Sequence, residues 1–252
     1  MNIKGKVIYI AGAGGKIGFS VTKNVLAHGG KVILGEIKTK KLTTIINKFE
    51  KKNLIIVRGD HRKKKIIDKS ITLGIKKFKK IDGAVDCMYS NKKWKKFENI
   101  NLDHLKKSLL PHIGSTIIFS QRLIKFFKKQ GYGNLILNSS VYGHKIPQFG
   151  IYKNSDLFNP IDYSASKAAI QYIVKYLAKL YLKKKIKVNC VSPGGIYEKK
   201  FSKNFLKNYK KNTGSKGMLD ANDINGTILF LLSDESKFIT GQNIVVDDGF
   251  SI

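Results

Sequence analysis

The stretch that decides the fold is Lys6-Val7-Ile8-Tyr9-Ile10-Ala11 followed by Gly12-Ala13-Gly14-Gly15-Lys16-Ile17-Gly18. Lys6–Ala11 is a short apolar run that ends on a glycine-rich turn, the pattern of a buried strand. Lys16–His28 then has helical character, and Gly29-Gly30 closes it. A strand, close glycines and a helix form the arrangement that receives a dinucleotide. Glycine permits the tight turn and lets the backbone approach a pyrophosphate, which rests on the helix N-terminus. Gly12, Gly15, Lys16, Ile17 and Gly18 are therefore the expected cofactor contacts. A plain packing turn uses the same residues, so the flanking strand and helix carry the weight of this reading.

Outward from the turn, short apolar runs alternate with longer amphipathic ones. Strands are expected at Lys31–Gly35, Leu54–Val57, Gly83–Cys87, Leu135–Asn138, Lys187–Val191 and Asn243–Val246. Helices are expected at Thr39–Lys51, Lys64–Phe78, Leu102–Lys129, Tyr163–Lys183 and Ala221–Leu232, with a bend or break at Pro111. His144–Asp162 and Glu198–Gly217 are expected as long loops. Repeated βα units predict an α/β fold: a single-domain, Rossmann-type, doubly wound parallel sheet flanked by helices, spanning residues 1–252. Ligands of such sheets bind beyond the carboxyl ends of the strands.

Composition narrows the function classes. The chain has 252 residues, 48 Lys+Arg against 17 Asp+Glu, and a formal net charge of +31. Such a balance raises binding to nucleic acid or an acidic surface. However, the only arginines are Arg58, Arg62 and Arg122, and the lysines are spread over every helical segment. Base recognition favours the bidentate fork of Arg, so a solvated lysine surface is expected and no specific nucleic-acid partner. A positive field still attracts acidic or phosphorylated substrates. Cys87 and Cys190 show neither metal-ligand spacing nor a CxxC pair, which points to buried thiols in a reducing compartment and to no metal. The N-terminus runs straight into the glycine turn and does not resemble a signal peptide, and no stretch approaches the roughly 18 apolar residues of a membrane span. A cytoplasmic protein with no membrane partner is the expectation.

Two further groups lie just after strands. Glu36 ends the second strand, in the range expected for a carboxylate on the adenosine ribose diol. A carboxylate there repels a 2′-phosphate, which favours NAD, while nearby Lys38 and Lys40 keep NADP as the alternative. The competing reading of Glu36 is an exposed loop residue. Asp60, after the third strand, is either an adenine contact or a capping aspartate.

Asn138-Ser139-Ser140-Val141-Tyr142-Gly143 follows a strand, and Tyr163-Ser164-Ala165-Ser166-Lys167 opens a helix. A separation of four puts Tyr163 and Lys167 on one helical face. A lysine beside a phenol is expected to lower the phenol's pKa. Tyr163 is then suited to pass a proton to or from a carbonyl/alcohol couple, with Ser140 on the same oxygen. That is the protein's share of a hydride transfer. The Tyr-x-x-x-Lys pair alone is common by chance.

Taken together, these parts resemble the short-chain dehydrogenase/reductase family. The resemblance rests on the glycine turn, Glu36, Ser139-Ser140, Tyr163 and Lys167, and Asn189-Cys190-Val191-Ser192-Pro193-Gly194. It continues in the tail, Thr240-Gly241-Gln242 to Asp247-Asp248-Gly249. It implies that Ser140 polarises the substrate oxygen, that Tyr163 is the acid/base, and that Lys167 binds the nicotinamide ribose as well as tuning Tyr163. It also implies that Pro193 and Gly194 border the nicotinamide, that Ile196 donates a backbone contact, and that the protein is a homodimer or homotetramer built through its two long helices.

Three departures from the family pattern stand out. Lys16 occupies the place of the second glycine. Asp86-Cys87-Met88-Tyr89 replaces the usual Asn-Asn-Ala-Gly. His112 stands where a helix asparagine usually joins the proton relay, as either a polar substitute or a structural residue beside Pro111.

Within the family, Ser139–Gly143, the long following segment, Pro193–Ile196 and the tail are similar to the flagellin-modification oxidoreductases of bacterial surface-sugar metabolism. A sugar or sugar-phosphate substrate follows from that likeness, with lysines of Glu198–Gly217 available to a phosphate. A 3-oxoacyl-thioester reductase is the competing enzyme. A cofactor-binding regulatory protein without catalysis is the competing class.

Overall fold

The structure is a computed structural model and describes residues 1–89 and 93–252. Its centre is a seven-stranded sheet in which β1 (Val7–Ala11), β2 (Lys31–Glu36), β3 (Leu54–Arg58), β4 (Gly83–Asp86), β5 (Gly133–Asn138), β6 (Ile186–Pro193) and β7 (Asn243–Val246) run in the order β3-β2-β1-β4-β5-β6-β7. Every neighbouring pair is parallel. The predicted doubly wound α/β architecture is therefore the observed one. All five residues of β1 are buried, because both faces of the sheet are covered by helices and no alternation with polar residues is needed.

Successive residues of β1 feed opposite faces. Ile8 and Ile10 pack with Val21 and Val25 of α1 (Lys16–Ala27) and Ile228 of α8 (Asn225–Leu232). Tyr9 and Ala11 pack on the other side with Phe119, Leu123 and Phe127 of α5 (Ser115–Gln130) and Ile170 and Val174 of α6 (Ile161–Leu180). The strand order reverses between β1 and β4, which opens a crevice beyond their carboxyl ends. Gly12 and Cys87 meet there: Cys87 N donates to Ala11 O at 2.9 Å and Gly12 N donates to Gly35 O at 2.8 Å.

The helices differ from expectation in three places. Thr39–Lys51 is not one amphipathic helix. It is a 3₁₀ turn at Thr39–Leu42, a short α2 (Thr43–Lys48) and a further 3₁₀ turn at Lys51–Asn53. The 198–217 segment is not all loop, since it holds α7 (Lys203–Lys210), capped by Ser202, whose hydroxyl accepts from Phe205 N.

At Pro111 the long helix is in two parts, as expected, but the join is a widened helical turn and not a gap. Between α4 (Leu102–Leu109) and α5, residues Leu110–Gly114 form a π turn. Proline has no N–H for the helical ladder, and the widened turn absorbs that loss. Ser115 Oγ donates to Pro111 O at 2.5 Å, satisfying a carbonyl of the turn. The remaining helix, α3, spans Lys64–Phe78 as expected. Among the described residues no helix is long and apolar enough to cross a membrane.

Candidate active site

The glycine turn is fixed by close packing. Gly12 has φ +78°, and a Cβ there would lie 2.6 Å from Cys87 O. A Cβ on Gly18 would lie 2.2 Å from Gly12 O. The bare backbone at these positions is what lets α1 start hard against the strand ends. Gly15 caps α1 without a side-chain hydrogen bond, and no acidic residue lies in the first turn. The positive end of the helix is thus uncompensated by an acid of its own. Ile17 packs on the sheet core below it.

Glu36 is not an exposed loop residue. Its Oε2 accepts from Gly14 N at 2.7 Å, and its Oε1 accepts from Ile37 N at 2.7 Å. The carboxylate therefore lies over the glycine turn. This set fits a dinucleotide: a helix N-terminus without competing acid, a turn stripped of Cβ atoms, and a carboxylate placed for a ribose diol.

The other expected cofactor contacts divide. Pro193 ends β6, and Gly194 N donates to Val246 O at 2.8 Å, so both sit at the carboxyl edge of the sheet. Ile196 forms an isolated parallel bridge with Leu219. That bridge runs through Gly195 O and Tyr197 N, which leaves the Ile196 N–H facing the opposite side. Asp60 is engaged elsewhere. Arg62 donates to both its oxygens, Nε at 2.8 Å and Nη2 at 2.9 Å, and this holds the carboxyl below its usual range. Lys16 turns its ammonium to Tyr197 O and Glu198 Oε1, each at 3.1 Å.

Ser140, Tyr163 and Lys167 converge. Tyr163 and Lys167 lie one turn apart on α6, with Lys167 Nζ 5.6 Å from the centre of the Tyr163 ring. Ser140 follows β5, and its hydroxyl shares a hydrogen bond with the Tyr163 phenol. Lys167 Nζ donates to Asn138 O at 2.9 Å.

The expected lowering of the phenol pKa does not appear. Burial pushes Tyr163 up to about 12, against a smaller downward pull from the Ser140 hydrogen bond. The same burial pushes Lys167 down to about 8, opposed by the charge of Asp86 and by Cys87 and Cys190. Withdrawal from water disfavours both charged forms and here outweighs the opposing influences at each group.

Asp86 ends β4 and is buried, and burial raises its pKa. Its Oδ1 accepts from Met88 N at 2.9 Å and its Oδ2 from Thr116 Oγ1 at 3.0 Å. Both oxygens act as acceptors, as a carboxylate requires.

His112 sits in the π turn, with its ring centre 5.0 Å from that of Tyr89 and its Nδ1 3.4 Å from Ser166 Oγ. Ser166 Oγ donates to Tyr163 O at 2.7 Å, so this link joins His112 to the backbone of α6.

Trp94, Gln171 and Tyr209 emerge only in the structure, and Tyr89, part of the Asp86–Tyr89 departure, joins them at the site. The rings of Tyr89 and Trp94 lie 6.2 Å and 5.9 Å from that of Tyr163, and Trp94 Nε1 donates to Tyr89 OH at 3.0 Å. Gln171 Nε2 donates to Ser139 Oγ at 3.1 Å and Ser140 O at 3.2 Å, bracing the strand end that presents Ser140. Gln171 is four residues beyond Lys167, so the spacing that found the Tyr–Lys pair would also have found it. Tyr209 OH accepts from Gly195 N at 2.7 Å and stacks on Phe250, packing α7 against the strand ends.

One concavity lies away from this chemistry. It is a groove of about 840 Å³ between α5 and α6, walled by Ile117, Ile124, Tyr172, Ile173, Tyr176 and Leu177. A smaller cavity of about 350 Å³ lies between Lys16 and Ser20 on one side and Ile196, Tyr197 and Asp220 on the other.

The sequence matches the enoyl-(acyl carrier protein) reductase family model over residues 12–251. It is 40% identical to the post-translational flagellin modification protein A of Campylobacter coli, over 99% of this chain and 100% of that protein. The chain belongs to the short-chain dehydrogenase/reductase family. A 7alpha-hydroxysteroid dehydrogenase of Bacteroides fragilis is 28% identical over 98% of this chain and 95% of its own length. A short chain dehydrogenase of Leptospira borgpetersenii, solved with bound NAD+, superposes with a TM-score of 0.85 at 28% identity. That match covers 100% of this chain and 94% of the other. The protein is thus an NAD(P)-dependent oxidoreductase of this family, acting on a small-molecule substrate.

Proposed function

We propose that the enzyme interconverts a secondary alcohol and a ketone on a sugar or sugar-phosphate used in bacterial surface-glycan metabolism, with NAD as the preferred cofactor. The observation that carries the chemistry is the convergence of Ser140, Tyr163 and Lys167 at the carboxyl end of β5. The sugar rests on the 40% identity to a flagellin modification protein.

The geometry supports the following roles. Gly12, Gly15, Gly18 and the first turn of α1 receive the pyrophosphate, Glu36 the adenosine ribose, and Pro193, Gly194 and the Ile196 N–H the nicotinamide end. When bound, the nicotinamide supplies or accepts the hydride. Ser140 and Tyr163 hold the substrate oxygen between their hydroxyls. A phenol with a pKa near 12 is neutral at physiological pH, so in reduction Tyr163 gives its proton to the carbonyl oxygen as the hydride reaches the carbonyl carbon. The cationic Lys167 then offsets the phenolate left behind. In oxidation the same steps run in reverse. Asp60 takes no direct part in this scheme while Arg62 holds it, and His112 contributes through the π turn.

A direct test is turnover with NAD(H) and NADP(H) on keto-sugars, sugar phosphates and 3-oxoacyl thioesters. Turnover of a sugar with NAD(H) is the expected result. Exclusive turnover of the thioester with NADPH overturns the proposal. The 3-oxoacyl-thioester reading is the alternative that a 28% identity to a 3-oxoacyl-[acyl-carrier-protein] reductase of Thermotoga maritima favours, and the Glu36 carboxylate weighs against its NADPH.

The groove between α5 and α6 fits a second copy of the chain. Tyr172 is 71% exposed and Tyr176 59% exposed, an apolar stripe that pairing about a twofold axis would cover. Sedimentation of wild type against Tyr172→Glu tests the homodimer or homotetramer.

A further inference from the structure

We propose that the Lys16 ammonium is a binding group for the cofactor's pyrophosphate and that Glu198 competes with the cofactor for it. The inference rests on the cofactor of the family and not on the identity of the substrate.

Lys16 is the first residue of α1, where the free N–H groups of the helix meet the phosphates of a dinucleotide. Lys16 stands where the classical family pattern has its second glycine, a residue with no side chain to offer. This chain brings a cation as well. Its direction excludes a role at the adenosine ribose: Nζ lies 3.1 Å from both Tyr197 O and Glu198 Oε1, on the segment that follows β6. Glu36 holds the other side of the turn through Gly14 N.

The Lys16–Glu198 pair is built to exchange. Its side chains are 51% and 34% exposed, so water screens the attraction and the pair is worth little on its own. The other Glu198 oxygen accepts from Lys200 at 3.1 Å, so the carboxylate keeps a partner when Lys16 leaves. Asp220, the carboxylate that lines the cavity beside Lys16, is occupied by Lys216 at 2.8 Å. A pyrophosphate offers two negative charges to one ammonium, against the single charge of Glu198.

The foot of the segment does not depend on this pair. Ile196 bridges to Leu219, and the Asp248 carboxylate accepts from the backbone N–H groups of Ser215, Lys216 and Gly217. Loss of the Lys16 contacts therefore leaves the base of the segment pinned, and Phe201 stays packed against Phe205.

Calorimetric titration of the full-length protein with NAD+, ADP-ribose and adenosine decides the matter. ADP-ribose carries the pyrophosphate without the nicotinamide, and adenosine carries neither. Lys16→Gln is expected to weaken NAD+ and ADP-ribose by roughly three- to tenfold and to leave adenosine unchanged. Glu198→Gln is expected to tighten NAD+ and ADP-ribose by roughly twofold or more, and to have no effect in the Lys16→Gln background. Lys16→Arg, which keeps the charge, is expected to bind like wild type and separates lost charge from lost folding. Equal weakening of all three ligands by Lys16→Gln, or unchanged or weaker ADP-ribose binding in Glu198→Gln, overturns the proposal.

Discussion

Lys167 Nζ lies 5.6 Å from the centre of the Tyr163 ring, yet its hydrogen bond goes to the carbonyl of Asn138 at 2.9 Å. The lysine is tied to the strand that carries Ser140, and it influences the phenol through space. Its effect on catalysis is therefore electrostatic and depends on its charge. Burial brings its pKa down to about 8, so the cation is present below that pH and lost above it. Reductase turnover is expected to fall as pH rises through about 8, read from a pH profile of kcat. Lys167→Arg, whose side chain stays charged, is expected to lose this alkaline limb in whatever activity it retains.

Asp86 supplies the opposing term. Its charge is the largest influence that raises the Lys167 pKa against burial. Asp86→Asn is expected to move the alkaline limb to lower pH. The amide oxygen can still accept from Met88 N and the amide N–H can donate to Thr116 Oγ1, so the fold should survive. An unchanged limb in a folded variant would show that Asp86 is neutral or too well screened to matter.

Tyr163→Phe removes the proton but keeps the ring against Tyr89 and Trp94. Turnover is expected to drop by roughly a thousandfold or more while NAD+ affinity stays within about twofold of wild type. Full activity would overturn the assignment of Tyr163 as acid/base.

Glu36→Ala removes the carboxylate from Gly14 N and from the ribose position. NAD+ affinity is expected to fall by roughly tenfold while NADP+ affinity rises, since the 2′-phosphate no longer faces a negative charge. Competitive binding of the two cofactors reads both changes. Parallel loss of both would show that Glu36 only braces the turn.

Much of this was legible in the sequence because it is local. The apolar run Val7–Ala11 and the glycines after it define β1 and the turn, and a spacing of four puts Tyr163 and Lys167 on one face. What escaped depends on contacts far apart in the chain. Lys16 and Tyr197 are 181 residues apart, and no periodicity links them. The high pKa of Tyr163 comes from burial, which a motif does not encode. The helix α7 left a trace, with Ser202 at its cap and the buried Phe205 and Tyr209 one turn apart, but its lysines masked the apolar face. Asp60 shows the converse case: Arg62, two residues on, was in plain view as its partner.

The π turn at Leu110–Gly114 works as a phase buffer. It takes up one residue more than an α turn, so the segments on either side keep their own α register. Phe119, Leu123 and Phe127 stay aimed at the sheet, whatever the turn beside Ser166 contains. The helix can therefore vary its active-site bulge in length and chemistry, proline and histidine included, without rotating its core face out of place.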